Sequence, residues 1–320
     1  MSVFSVPRLI LGLTALAVFA LACAQDEDAR PLVLTTTPIL ADLVGQVAGD
    51  DLRVESLVPA DADPHTFDIT PSQARRIGQA RLVFANGLGL EGNVLEAVEA
   101  NRSPRAKVVE LAPRAAERVG LELDGSGDEH GHGHGHDDGH GHGHGEGTDP
   151  HLWLDPRIAV EYVYVVAEEL AALDPSATGG YRERAQAYVE QIRAVDSEAE
   201  RQLASLPEER RKLAATHAAF HWLAQRYGLE EVGYLVTSPE AEPSAAQVAA
   251  LRQRLVEERV PAVFTEPQLE GPDRLLVRLA QDLGLRVCTL YSDSLDDRVR
   301  SYLDLIRHNG NELARCLGGT

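Results

Sequence analysis

Twice along this chain, short apolar runs alternate with helical stretches, and a single long helical pattern separates the two regions. Before that pattern, strands are expected over 32–35, 52–58, 82–85 and 107–111, with helices over 39–47, 71–80 and 94–98. Beyond it, strands are expected over 212–216, 232–236, 262–265 and 287–291, with helices over 218–227, 244–258, 272–283 and 298–317. Strands that alternate with helices build parallel sheets covered on both faces, because each parallel connection must cross over the sheet. The expected fold class is therefore α/β, with two lobes, each a mostly parallel sheet flanked by helices. Between them Tyr181, Ala185, Tyr188, Ile192, Val195, Ala199, Leu203 and Leu206 recur at intervals of three and four, the stripe of one long connecting helix over 176–206. A length of 320 residues suits this division into lobes at 31–173 and 210–320.

The start of the chain reads as an export signal over 1–24: Arg8, then an apolar run from Leu9 to Ala22, then small residues around Cys23. Two cleavage readings stay open. Leu21-Ala22-Cys23 resembles a lipoprotein signal that leaves a lipid on Cys23, whereas Ala22-Cys23-Ala24 fits a peptidase site that discards it. Either way the location is periplasmic, or extracytoplasmic and membrane-anchored, and a lipid on Cys23 would be the chain's own contact with a membrane. In an oxidising compartment Cys288 and Cys316 are expected to bridge, stapling the last helix to the sheet.

Between 124 and 148 the composition collapses almost entirely to Gly, His, Asp and Glu, with His130, His132, His134, His136, His140, His142 and His144 spaced along it. Such a segment cannot form a core and reads as a disordered loop offering weak accessory metal sites. The formal charge of −20, from 30 basic and 50 acidic residues, repels nucleic acid and favours cations.

Three further histidines share a context: His65 in Asp63-Pro64-His65-Thr66-Phe67, His151 in Asp149-Pro150-His151-Leu152-Trp153, and His217 in Thr216-His217-Ala218-Ala219-Phe220. Each stands where a strand or loop runs into a helix, and ligands of open α/β sheets bind at the carboxyl ends of the strands. Asp293, in Ser292-Asp293-Ser294 after the strand that carries Cys288, is a fourth candidate. Three imidazoles and a carboxylate suit zinc, with manganese second. His221, four residues after His217 on the expected helix, lacks the glutamate of a two-histidine zinc helix and reads as a rim residue. His308 reads as a solvent-facing helix residue, and Glu266 as a buried carboxylate holding loop amides.

With Thr70-Pro71-Ser72, Leu154-Asp155-Pro156, Arg226-Tyr227-Gly228, Glu242-Pro243-Ser244, Phe264-Thr265-Glu266-Pro267-Gln268 and Ser292-Asp293-Ser294-Leu295, these strings run in order along nearly the whole mature chain. Together they resemble the cluster A-I solute-binding proteins of ABC importers for zinc and manganese, and among them the zinc-specific ZnuA-type. The resemblance implies two lobes joined by a rigid backbone helix, metal held between them by His65, His151, His217 and Asp293, and no enzymatic activity. It also implies an ABC permease and its ATPase as partners, with the chain itself expected to be monomeric. His217 favours zinc, since manganese members tend to carry Glu there. Some ZnuA-type proteins carry Glu immediately before the first ligand; here Pro64 stands in that place, which leaves Asp293 as the expected fourth ligand. Relatives with a C-terminal bridge tend to place the inner cysteine one strand earlier, at 262–265.

Two rival readings are a secreted zinc-dependent hydrolase and a manganese-binding or adhesin-like member of the same family. The hydrolase lacks any H-E-x-x-H or G-x-S-x-G string and any general base beside the ligands.

Overall fold

The structure is a computed structural model that describes residues 30–123 and 148–318. The export signal with Cys23, and the histidines from His130 to His144, lie outside the described residues. Two four-stranded parallel sheets are present. The first comprises β1 (Leu32–Thr35), β2 (Arg53–Ser56), β3 (Leu82–Ala85) and β4 (Lys107–Glu110), ordered β2-β1-β3-β4. The second comprises β5 (Lys212–His217), β6 (Glu230–Val236), β7 (Ala262–Thr265) and β8 (Arg286–Thr289), ordered β6-β5-β7-β8.

Burial follows composition strand by strand. The central strands Leu-Val-Leu-Thr, Leu-Val-Phe-Ala and Ala-Val-Phe-Thr are buried at every position, while edge strand β2, Arg-Val-Glu-Ser, is half-buried throughout. Continuous apolar runs are what a parallel strand covered on both faces requires. Both orders reverse direction at their centre, between β1 and β3 and between β5 and β7, which opens a crevice at the carboxyl ends of those strands.

Helices α1 (Pro38–Ala48), α2 (Pro71–Gln79), α3 (Gly92–Asn101), α4 (Leu111–Val119) and α5 (Pro156–Leu173) accompany the first sheet. Helices α7 (His221–Tyr227), α8 (Ala245–Glu257), α9 (Glu270–Leu283) and α10 (Tyr302–Leu317) accompany the second. The connecting helix α6 spans Thr178–Ala204, 27 residues or about 40 Å at 1.5 Å per residue. Its buried stripe, from Tyr181 to Leu203, packs against α1, α5 and α10, so one continuous core runs from the first lobe into the second. The helix ends at Ala204, short of 206, three residues before Pro207, whose ring disfavours continuation.

One acid, Asp196, lies on that buried stripe. Arg226 clamps it with two bonds of 2.9 and 2.8 Å, and the Tyr227 hydroxyl donates to it at 3.1 Å, which is how a carboxylate survives there. Where α10 crosses α6, Gly310 is required by proximity: a β-carbon at that position would lie 2.9 Å from that of Ala199.

Helix α4 has no counterpart in the sequence reading. Its apolar positions Leu111, Ala112, Ala115 and Ala116 are buried, but Pro113 in a nine-residue segment obscures them. Pro113 falls in the first turn, where no amide donor is needed, and Gly120 closes the helix in the left-handed region at φ 68°. At the other end of the chain, α10 begins at Tyr302 and not at 298, because the Ser301 side chain accepts from the Asp304 amide and caps the helix there. His308 is not solvent-facing: its Nε2 lies 3.0 Å from the Thr289 carbonyl and its ring meets Tyr291 edge-on at 4.9 Å. Cys288 on β8 bridges Cys316 on α10 across a Cα separation of 6.6 Å, joining the last helix to the sheet edge.

Candidate metal centre

Four side chains from distant parts of the chain meet between the lobes. His65 comes from the loop after β2, His151 from the segment before α5, His217 from the last residue of β5, and Asp293 from the loop after β8. One ligand atom from each lies within 4.8 Å of all the others. His151 Nε2 is 3.1 Å from Asp293 Oδ1, and His217 Nε2 and His65 Nε2 are 3.5 and 3.8 Å from Asp293 Oδ2. His65 Nε2 and His151 Nε2 are 3.4 Å apart. His151, His217 and Asp293 are buried, and His65 lies at the rim.

Which nitrogen faces the centre is set from behind the rings. Asp149 Oδ1 sits 2.6 Å from His151 Nδ1, and Glu266 Oε1 sits 2.7 Å from His217 Nδ1. A carboxylate only accepts, so each Nδ1 carries a proton and each Nε2 is the nitrogen turned towards the centre, where a metal takes its lone pair once any proton there is displaced. His217 Nε2 is buried without a hydrogen-bond partner, an arrangement that costs free energy unless a cation completes it. Asp293 is oriented in turn by Gln268 Nε2 at 3.4 Å and the Ser292 hydroxyl at 2.9 Å. Ser292 also contacts Glu266.

The electrostatics suit a cation. Burial alone would raise Asp293, but the imidazoles of His151, His65 and His217 overcome it and hold the carboxyl well below the usual carboxylate range. Burial likewise opposes charge on His151, yet Asp293 and Asp149 together push its pKa up to about 10. For His217, Glu266 and Asp293 outweigh burial and raise it. His65 has no carboxylate behind it; burial lowers its pKa to about 4, with His151 and His217 adding and Asp293 opposing.

The four candidate ligands read from the sequence are thus neighbours, but the residues behind them were read incompletely. Glu266 bonds the His217 imidazole and not merely loop amides, and Asp149 was not singled out. A signal for Asp149 existed in the repeated Asp-Pro-His string. In both copies the aspartate accepts from the histidine amide two residues on, at 2.9 Å for Asp63 and 3.0 Å for Asp149, and only the second also reaches the ring. His221 is not on a helix face shared with His217, because His217 ends β5 and α7 starts at His221. Its Nδ1 pairs instead with Glu231 at 2.8 Å.

The sequence profile described as zinc-uptake complex component A, periplasmic, matches residues 33–316. The chain is 29% identical over 320 residues to the zinc-binding protein TroA of Treponema pallidum, covering 96% of each. It is 26% identical over 323 residues to the manganese ABC transporter substrate-binding lipoprotein PsaA of Streptococcus anginosus, covering 97% of each. The solved structure of the periplasmic zinc-binding protein TroA from Treponema pallidum superposes with a TM-score of 0.75 at 28% identity, covering 90% of this chain and 99% of that one.

Proposed function

This chain belongs to the periplasmic zinc-uptake complex component A family, and from that premise we propose that it captures Zn2+ through His65, His151, His217 and Asp293 and delivers the ion to an ABC-type permease. As a member of the family it is an extracytoplasmic metal-binding component of an ABC metal importer and not an enzyme. Among the described residues no helix is long and apolar enough to cross a membrane. A lipid on Cys23 would supply the anchor that the lipoprotein relatives carry by name.

Zinc is the reading that the donor set favours. Manganese is a harder ion suited to carboxylate and water oxygens, whereas three imidazole nitrogens and one carboxylate suit a borderline-soft ion in tetrahedral geometry. The single observation that carries the proposal is the convergence of three Nε2 atoms and one carboxylate on a buried point between the lobes. The histidines from His130 to His144 would add weaker accessory sites. Dialysis of metal-free protein against equimolar zinc and manganese, followed by elemental analysis, is expected to return zinc bound in the cleft. Preferential retention of manganese would overturn the choice of ion and support the reading suggested by the PsaA relative.

Protons compete for the same nitrogens. In the metal-free protein His151 keeps its proton up to about pH 10, so zinc binding at neutral pH must displace it, and affinity weakens as the pH falls. Calorimetric titrations in two buffers of different ionisation enthalpy are expected to differ by the release of about one proton per zinc. Identical heats in both buffers would contradict His151 as a ligand.

A further inference from the structure

Two consecutive carbonyls beside the centre are held by opposite lobes. Asn86, just past β3 in the first lobe, donates from Nδ2 to the Pro150 carbonyl at 2.9 Å, its own amide oriented by the Tyr162 hydroxyl at 2.8 Å. Trp222, the second residue of α7 in the second lobe, donates from Nε1 to the Asp149 carbonyl at 3.0 Å. Asp149 is also the residue whose Oδ1 takes both the amide and the Nδ1 proton of His151. Its other oxygen, Oδ2, is buried without a partner, so the carboxylate is held by the His151 contact and by its own backbone.

The two anchors lie one peptide apart and belong to different lobes. Asn86 ties the Pro150 carbonyl to the first lobe, while two residues past His151 the Trp153 indole donates to the Ser292 carbonyl and the Trp153 carbonyl accepts from the Tyr302 hydroxyl, both in the second lobe. Trp222 keeps Asp149 registered to the second, on a helix that starts four residues after His217. We infer that Trp222 is a positioning residue for His151, acting through the Asp149 carboxylate: by holding the Asp149 backbone to α7 it keeps that carboxylate behind the ring. Asp149 sits behind the ring and turns Nε2 towards the centre. Without the Trp222 donor the Asp149 backbone loses its tie to α7, and the Nδ1 contact that orients the ring is held less firmly. Trp222 is buried, so its N–H has no water to turn to and its bond to the carbonyl is kept.

This inference rests on the zinc-binding reading, and a mutant cycle separates the two. Trp222→Phe keeps an aromatic ring in place and removes only the donor; Asp149→Ala removes the carboxylate but leaves the carbonyl. Zinc affinities of wild type, both single variants and the double variant are measured by competition with a chelator, alongside the thermal stability of each metal-free protein. Asp149→Ala is expected to weaken zinc about 10- to 100-fold, the usual cost of removing the group behind a ligating histidine. Trp222→Phe is expected to weaken it several-fold in the wild type and to have no effect once Asp149 is Ala, because the donor works only by placing that carboxylate. Equal effects of Trp222→Phe in both backgrounds, or none in either, overturn the inference while leaving the zinc reading intact. A wild type that takes up no divalent ion overturns both.

Discussion

Replacing Asp293 with Ala is expected to weaken zinc binding by roughly 10²- to 10⁴-fold, the fold-change that corresponds to the 3–5 kcal/mol lost when one member of a buried charge pair is removed. Asp293 is fully buried and is the one candidate ligand among the four that supplies negative charge at the centre. Without it a divalent ion would sit among three neutral imidazoles in a poorly solvated cleft, and its lost hydration would go uncompensated. Asp293→Asn keeps the shape and one oxygen donor and is expected to fall between the variant and wild type. The loop should survive either change, because Asn309 in α10 clamps the Tyr291 backbone two residues upstream, accepting from its amide at 2.9 Å and donating to its carbonyl at 2.8 Å. Chelator competition at neutral pH reads the effect, and unchanged affinity in Asp293→Ala would remove Asp293 from the ligand set. The same substitution should lower the pKa of His151, since Asp293 is its strongest charge partner, so less proton release should accompany whatever binding remains.

The fold was legible where apolar pattern alone decides structure. The runs at 82–85 and 262–265 are strands with those very bounds, because a strand buried on both faces has to be apolar throughout. Helix α4 was not legible, since its signal is four small or apolar residues around a proline, and helix starts slipped by three residues at α7 and by four at α10, the latter where the Ser301 cap decides. The candidate site divides in the same way. His65, His151, His217 and Asp293 announce themselves by chemistry where a strand or loop runs towards the next element, whereas Glu266 and Trp222, which stand behind them, are defined by contacts across the fold. Glu266 meets His217 from 49 residues away, and Trp222 meets Asp149 from 73. No local spacing encodes such pairs. Asp149, two residues from its histidine in the repeated Asp-Pro-His string, and Ser292, next to Asp293, are the orienting groups that lie close in sequence to their ligands.

The orienting groups also differ between the ligands in a way that bears on capture. His151 and His217 are each backed by a carboxylate and are fixed before any ion arrives. His65 is not, and its low pKa keeps it unprotonated at neutral pH, so it adds a donor without a proton to displace. Pre-oriented donors lower the ordering cost of binding, while one freer donor at the rim leaves a route for the ion to enter and leave.

Loss of the disulfide should be felt in stability and not at the site. The bridge between Cys288 and Cys316 spans 28 residues, and closing a loop of that size in the unfolded chain is worth about 3.5 kcal/mol on the chain-entropy account. For a chain of this length each kcal/mol moves the melting temperature by about 2 °C, so the double variant Cys288→Ala, Cys316→Ala is expected to melt about 7 °C lower. The loop so closed contains Asp293, which makes an effect on metal binding the competing expectation. Against it stand bonds independent of the bridge: the Asn309 clamp on Tyr291, Gln268 and Ser292 on the Asp293 carboxylate, and the Trp153 indole N–H donating to the Ser292 carbonyl at 2.9 Å. Among the described residues β8 is an edge strand paired with β7 alone, so the bridge's contribution lies in holding that edge to α10 and, through α10, to the connecting helix. Thermal denaturation of the metal-free variant combined with chelator competition separates the two outcomes. A lower melting temperature with unchanged zinc affinity assigns the bridge to stability, whereas affinity that falls in step with stability would show that the staple, and not Asn309, positions Asp293.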